Sequence, residues 1–219
     1  MMSMLRKALG AAALATLLFA ASASQAAAAV ISLSPSAPVV GLNQAFSVDV
    51  IVSGLDGTAA QAVAGFDFTV NFNNTLAVGT GYTADPAGKM GPGIIDLSDP
   101  AFTTSPFLAF VSSDVPPLGT VTGAQLAGLQ GTTPFTLMHL NFLSKTTEGL
   151  LTISLANPAL SNAAGAGIGV QAGTATICID GSPTDEVNAC AVTAPEPGLL
   201  SLLGAGLATV GMRMRRRRS

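Results

Sequence analysis

The sequence predicts an all-β domain, a sandwich or a barrel, on three observations. Short β-prone runs recur between turn clusters from residue 30 to residue 190, no helical period is sustained, and residues 66–72 alternate strictly. In that run Phe66, Phe68, Val70 and Phe72 share one face and Asp67, Thr69 and Asn71 the other, so the aromatic face belongs in a core. Composition agrees: the 219 residues are 49% hydrophobic and only 10% charged, with 24 Gly and 13 Pro, which argues against a helix bundle or a coiled coil. A chain of this length carries one ordinary domain.

Taken in order, the first expected strand is 31–34. The second is 46–52, where Phe46, Val48, Val50 and Val52 alternate with Ser47 and Asp49 and only Ile51 breaks the pattern. The third is 66–72, followed by 76–82, 94–97, 107–112, 135–144, 150–155 and 174–179, nine strands of ordinary length in all. Between them Gly54-Leu55-Asp56-Gly57, Gly91-Pro92-Gly93, Pro116-Pro117-Leu118-Gly119 and Asn157-Pro158 are expected to stop strands through free or locked backbone dihedrals. Residues 123–131 have room for one helical turn, 162–169 are an Ala/Gly-rich loop, and 192–197 are a linker. No internal repeat is evident.

Charge is segregated. Seven of the nine basic residues lie at the two ends, and from residue 27 to residue 194 two bases face eleven acids, a net of minus nine. A nucleic-acid partner for the domain is excluded on that balance. Residues 1–28 begin with Arg6 and Lys7, pass through the apolar run 8–21 and close in small residues, the pattern of a secretory signal peptide handled by the Sec translocon and signal peptidase. Cleavage is expected after Ala26 or Ala28; an uncleaved membrane-anchoring start is the alternative. At the other end, Pro195-Glu196-Pro197 precedes an uncharged stretch and then Arg213, Arg215, Arg216, Arg217 and Arg218. As a helix, residues 198–212 span about 22 Å against roughly 30 Å of hydrocarbon, a marginal crossing. Arginines beyond it stay cytoplasmic, so both ends agree on an exported domain.

Pro195-Glu196-Pro197, an apolar helix and a terminal arginine cluster resemble the PEP-CTERM sorting signal of exported Gram-negative proteins. The resemblance implies processing near that motif by an exosortase-type membrane protease, with transient residence in the inner membrane before the cell surface or extracellular matrix. A plain tail anchor holding a periplasm-facing domain is the alternative. A second resemblance rests on Pro38-Val39-Val40-Gly41 before Phe46-Ser47-Val48-Asp49-Val50, then Val63-Ala64-Gly65 running into Phe66 to Phe72 with Leu76, and Phe135-Thr136-Leu137 with Leu140-Asn141-Phe142. These are similar to the cohesin-like domains, nine-stranded jelly-roll β-sandwiches related to some carbohydrate-binding modules. The chain has Phe72-Asn73-Asn74-Thr75 where cohesins commonly run into a Tyr-Asp-Pro turn, and no residue set carries over their dockerin partner. The expected organisation is a signal-peptide helix at 1–28, a cohesin-like sandwich at 30–190, a linker with the sorting motif at 191–197, and an apolar helix with an arginine tail at 198–219.

Chemistry-bearing residues are few. Cys178 and Cys190, the only cysteines, are read as a disulfide formed in an oxidising compartment; two free thiols or a metal site are the rivals. Asp180, Asp185 and Glu186 offer oxygen donors to calcium, but their spacing departs from an EF-hand loop and a solvated acidic turn is preferred, so no cofactor or metal is expected. His139, the one histidine, lies opposite Met138, Leu140 and Phe142 without a nucleophile signature, and no acid–base carboxylate pair is recognisable. No catalytic residue is therefore assigned. Asp67, Thr69, Asn71, Asn73 and Tyr82 form a candidate hydrogen-bonding face for a glycan, against the alternative of a hydrated sheet face. The functional expectation is a non-enzymatic adhesion or assembly module at the cell surface or in a biofilm matrix, with exopolysaccharide or another surface protein as partner. A carbohydrate-binding module is the alternative.

Overall fold

A computed structural model describes residues 28–113, 121–181 and 190. It contains twelve strands and one helix: β1 (Ala29–Pro35), β2 (Val39–Val40), β3 (Ala45–Ser53), β4 (Gly65–Asn71), β5 (Ala77–Ala84), β6 (Ile94–Asp96), β7 (Phe107–Ser113), α1 (Gly123–Gln130), β8 (Phe135–Ser144), β9 (Gly149–Ser161), β10 (Gly167–Ile168), β11 (Val170–Ala172) and β12 (Thr174–Ile179). They form two sheets packed face to face. One runs β11-β1-β3-β8-β5; the other runs β2-β12-β9-β4-β7-β6, with β10 against β9. All nine expected strands are present. The additional three, β2, β10 and β11, are two or three residues long, too short to leave a period in the sequence. Two of them join in parallel, β11 with β1 and β2 with β12, and so complete the edges of the two sheets.

The alternating faces land as their periodicity requires. Phe66, Phe68 and Val70 are buried while Asp67, Thr69 and Asn71 are half-buried on the outer side. Val48, Val50 and Val52 face inward, and Ile51 keeps the alternation by lying on the outer face. The two inner faces meet over a cluster of phenylalanines. Phe142 stacks on Phe46 at 5.1 Å between centroids and meets Phe72 and Phe102 edge-on at 5.2 and 4.9 Å. Gly79 is required by this cluster, because a side chain on it would run into the carbonyl and ring of Phe102 where that residue closes over β5.

Three local readings are corrected. Asn157-Pro158 does not end a strand: β9 runs through it for thirteen residues, and the pair sits in a bulge where the register with β4 jumps from Asp67↔Ala159 to Thr69↔Ala156. A bulge tolerates a proline, which has no N–H to give the ladder, and Asn157 takes the positive φ of 52°. Residues 123–131 hold not one helical turn but the eight-residue α1, because Thr122 and Gln125 form a reciprocal capping box. Two residues of the expected 162–169 loop, Gly167 and Ile168, are likewise recruited as β10.

Buried polar side chains tie the loops to the sheets. Gln130, at the end of α1, accepts from the Val63 N–H at 2.7 Å and donates to the Val63 carbonyl at 2.7 Å, acting as a strand partner for that residue. Asp85, buried and at φ 43°, accepts from the N–H groups of Lys89 and Met90 at 2.7 and 2.8 Å. Burial raises its carboxyl above the ordinary range, against the opposing pull of those hydrogen bonds and of Lys89. The sign follows from proton counting: as pH rises, the unfolded chain loses this proton first, so the contribution of Asp85 to stability is full below the ordinary carboxyl pKa and is lost as pH climbs through the raised one. We expect the stability difference between the wild type and Asp85→Asn to shift toward the wild type on acidification from about pH 7 to about pH 4. Urea midpoints measured across that range check it; a shift in the opposite direction would refute the burial argument.

Candidate functional site

The outer face of the seven-stranded sheet carries a groove. β4 lies between β7 and β9, and the register sets out two adjacent rows across the three strands: Phe110, Asp67 and Ala159 in one, Ser112, Gly65 and Ser161 in the next. All six line a groove of about 280 Å³, together with Gly165 of the β9–β10 turn and Gly167 of β10. Gly65 makes the hollow: a Cβ there would stand 2.8 Å from the Ser161 hydroxyl. Phe110 is 39% exposed, and Ile95, Leu97 and Leu108 beside it are also exposed.

Of the five residues read as a glycan face, the fold brings three together. Asp67, Thr69 and Asn71 follow one another on the outer side of β4. Asn73 is engaged locally, its side-chain oxygen accepting from the N–H and hydroxyl of Thr75 at 2.9 and 2.8 Å. Tyr82 lies on the other sheet, in β5, with its ring 5.1 Å from that of Phe107. Burial and then the Asp96 charge raise its phenol, which is hydrogen-bonded to Ser98 and Asp96. Phe110 was not singled out in the sequence, although the signal was there: its odd-numbered neighbours Phe107, Ala109 and Val111 are core positions, which puts Leu108, Phe110 and Ser112 on the outer side.

On the outer face of the five-stranded sheet, Ser34, Asp49, His139 and Thr83 form one row across β1, β3, β8 and β5. His139 Nδ1 lies 2.6 Å from Asp49 Oδ1, with the two side chains 35% and 39% exposed. So exposed a pair contributes about 0–1 kcal/mol, and it pins the register of β3 on β8. Periodicity put each residue on an outer face; only the pairing of strands 90 positions apart makes them partners.

Cys178 and Cys190 form a disulfide. Cys178 lies in β12, paired with Leu150 of β9 and Val39 of β2, so the bridge ties the chain beyond the sandwich to its sheet. Asp180 follows β12 and is buried, and Glu148 accepts from the Gly181 N–H at 3.1 Å. Asp185 and Glu186, with the signal-like segment at 1–27, Pro195, Glu196, Pro197 and Arg213 to Arg218, lie outside the described residues. Among the described residues no group of three or more His, Cys, Asp and Glu is placed to hold a metal ion, and no helix is long and apolar enough to cross a membrane.

No protein-family model matches the sequence, and no curated protein matches it. Solved structures do. The chain superposes on the sixth cohesin of scaffoldin B from Acetivibrio cellulolyticus, a module solved in complex with a dockerin, over 70% of this chain and 99% of that one, at a TM-score of 0.50 and 14% identity. It matches the seventh ScaB type I cohesin of Pseudobacteroides cellulosolvens over 73% of this chain and 97% of that one, at a TM-score of 0.50 and 10% identity. The fold is a cohesin-like β-sandwich. Identities this low carry the architecture and no residue of a binding site. The two open sheets and their outer faces, described above, are therefore where this cohesin-like chain's own chemistry has to be sought.

Proposed function

We propose that this is an exported, non-enzymatic surface or extracellular-matrix protein, sorted through a PEP-CTERM and exosortase-type signal, whose cohesin-like sandwich works in adhesion or assembly. The observation that carries the proposal is the order of parts on one chain: an export signal, a disulfide-closed sandwich, Pro195-Glu196-Pro197, an apolar stretch and five arginines. The disulfide supports export, since such bridges persist in oxidising compartments. The fold supports adhesion or assembly in one respect: the cohesin of Acetivibrio cellulolyticus was solved holding a protein partner. For this chain the partner is exopolysaccharide or another surface protein. The chain works without a cofactor.

Between the two expected cleavage points, the surroundings of Ala29 support the earlier one. Ala29 opens β1, is fully buried, and donates its N–H to the Gly169 carbonyl at 2.8 Å. Cleavage after Ala28 would turn that amide into a buried ammonium, which is costly, so cleavage after Ala26 is favoured. The test is the intact mass of the protein recovered from its host, fraction by fraction, with and without reductant. The expected species begins at Ala27, ends near Pro195 to Pro197, and gains the mass of two hydrogens on reduction. A surface species retaining Arg218 would overturn the sorting proposal and leave a tail-anchored, periplasm-facing protein.

A further inference from the structure

We propose that the groove on the outer face of the seven-stranded sheet, built on Phe110, Asp67, Ser112, Gly65 and Ser161, binds a neutral saccharide. This deepens the surface-and-matrix reading by naming the chemistry of the partner, and it rests on that reading. A pyranose ring offers two kinds of surface: an apolar patch of C–H groups and a rim of hydroxyls. The groove offers the complement of each in adjacent rows. Phe110 presents an exposed aromatic surface, continued by Leu108 and Leu97, on which the C–H patch can stack. Its direct neighbour across the ladder is Asp67, whose side chain makes no hydrogen bond or ion pair with any other described residue. Two carboxyl oxygens beside an aromatic surface can accept from two hydroxyls of one sugar.

The second row supplies hydroxyls. Ser161 Oγ, like Asp67, has no hydrogen-bond partner among the described residues, while Ser112 Oγ donates to the Ser113 carbonyl and keeps its acceptor capacity. Gly65 between them leaves the space that a side chain would fill. The bulge at Asn157-Pro158 displaces the register just where Ala159 meets Asp67, and such bulges commonly re-aim side chains beside a site. A volume of about 280 Å³ suits a short stretch of saccharide and is far too small for a folded partner. Among the described residues no lysine, arginine or histidine lines the groove, and the middle of the chain carries the net charge of minus nine, so polyanionic glycans are repelled. A lysine or arginine from a protein partner would also engage Phe110 and Asp67, and polylysine in the test separates that case.

The test is affinity gel electrophoresis of the full exported protein through gels containing dextran, a mixed-linkage glucan, a mannan or a galactan, with alginate and polylysine for contrast. We expect retardation by at least one neutral polymer and none by alginate. Phe110→Ala and Asp67→Asn should each weaken that retardation about tenfold, the loss of one stacking or charge-assisted contact, while Thr176→Ala, exposed on β12 of the same sheet and outside the groove, leaves it unchanged. Far-UV circular dichroism confirms that the variants are folded, which the exposure of Phe110 and the outward, half-buried position of Asp67 make the expected result. Retardation by none of the neutral polymers, equal retardation of all variants, or retardation by polylysine alone would overturn the proposal. Sorting is read separately by the mass of the same preparation, so binding without processing, or processing without binding, identifies which of the two readings has failed.

Discussion

Phe142→Ala is expected to cost about 3–5 kcal/mol of folding stability, the range for removing a fully buried phenyl group. Phe142 is fully buried near the C-terminal end of β8, and its ring borders Phe46, Phe72 and Phe102. Truncation opens a cavity walled by three rings, each held by its own strand or segment, so the site cannot close by moving one of them. Because a domain is stable by only about 5–15 kcal/mol in total, the variant should unfold at a much lower urea concentration. Phe142→Leu, which retains most of the volume, should cost no more than about 1.5 kcal/mol. Far-UV circular dichroism reads the transition, and the fluorescence of Tyr82, the single tyrosine in a chain without tryptophan, tests whether it is two-state. A loss below about 1 kcal/mol in Phe142→Ala would mean that the aromatic cluster is not the centre of the core.

Opening the disulfide is the second large effect. Cys178 and Cys190 are twelve positions apart, and a bridge across a loop of that size stabilises by about 3 kcal/mol in the chain-entropy description. The double variant Cys178→Ala, Cys190→Ser should therefore unfold about 3 kcal/mol more easily than the oxidised wild type. Reductant should bring the wild type to the same midpoint and leave the variant unmoved. An oxidised wild type whose midpoint does not respond to reductant, although its mass does, would show that the bridge ties the linker to the sheet without stabilising the sandwich. The expected result bears on function as well. A protein that gains this increment only after oxidation reaches its full stability outside the cytoplasm, where a surface role would place it.

Eight of the nine expected strands, all but the three-residue β6, are long enough for a local statement: two or three alternations suffice to separate an inner from an outer face. Phe66 to Phe72 and Val48 to Val52 are placed as their periods demand. Asn157-Pro158 misled for a physical reason. A proline excludes itself from a ladder hydrogen bond but not from a strand that can bulge around it, and only the neighbouring strand reveals that the bulge is there. Gln130 and Asp85 were silent because their partners are backbone groups, which every residue possesses, so nothing in the sequence marks Val63 or Met90 as the recipient. Of the candidate glycan face, the alternation on β4 was visible, but the transfer of Tyr82 to the other sheet and the arrival of Phe110 beside Asp67 were not.

By itself, then, the sequence determined the β class, the core and solvent faces of the clearly alternating strands such as β3 and β4, and the charge pattern of the domain and its two ends, all consequences of residues within a few positions of each other. Only the tertiary structure decided which strands are neighbours, and with that the Asp49–His139 pair, the parallel closures by β2 and β11, and the groove between Phe110 and Ser161. The physical reason is that strand pairing is a contact between distant segments. Its partner and register are selected by the burial of whole faces against one another, and backbone hydrogen bonds that any sequence could make then hold whatever arrangement that burial selects.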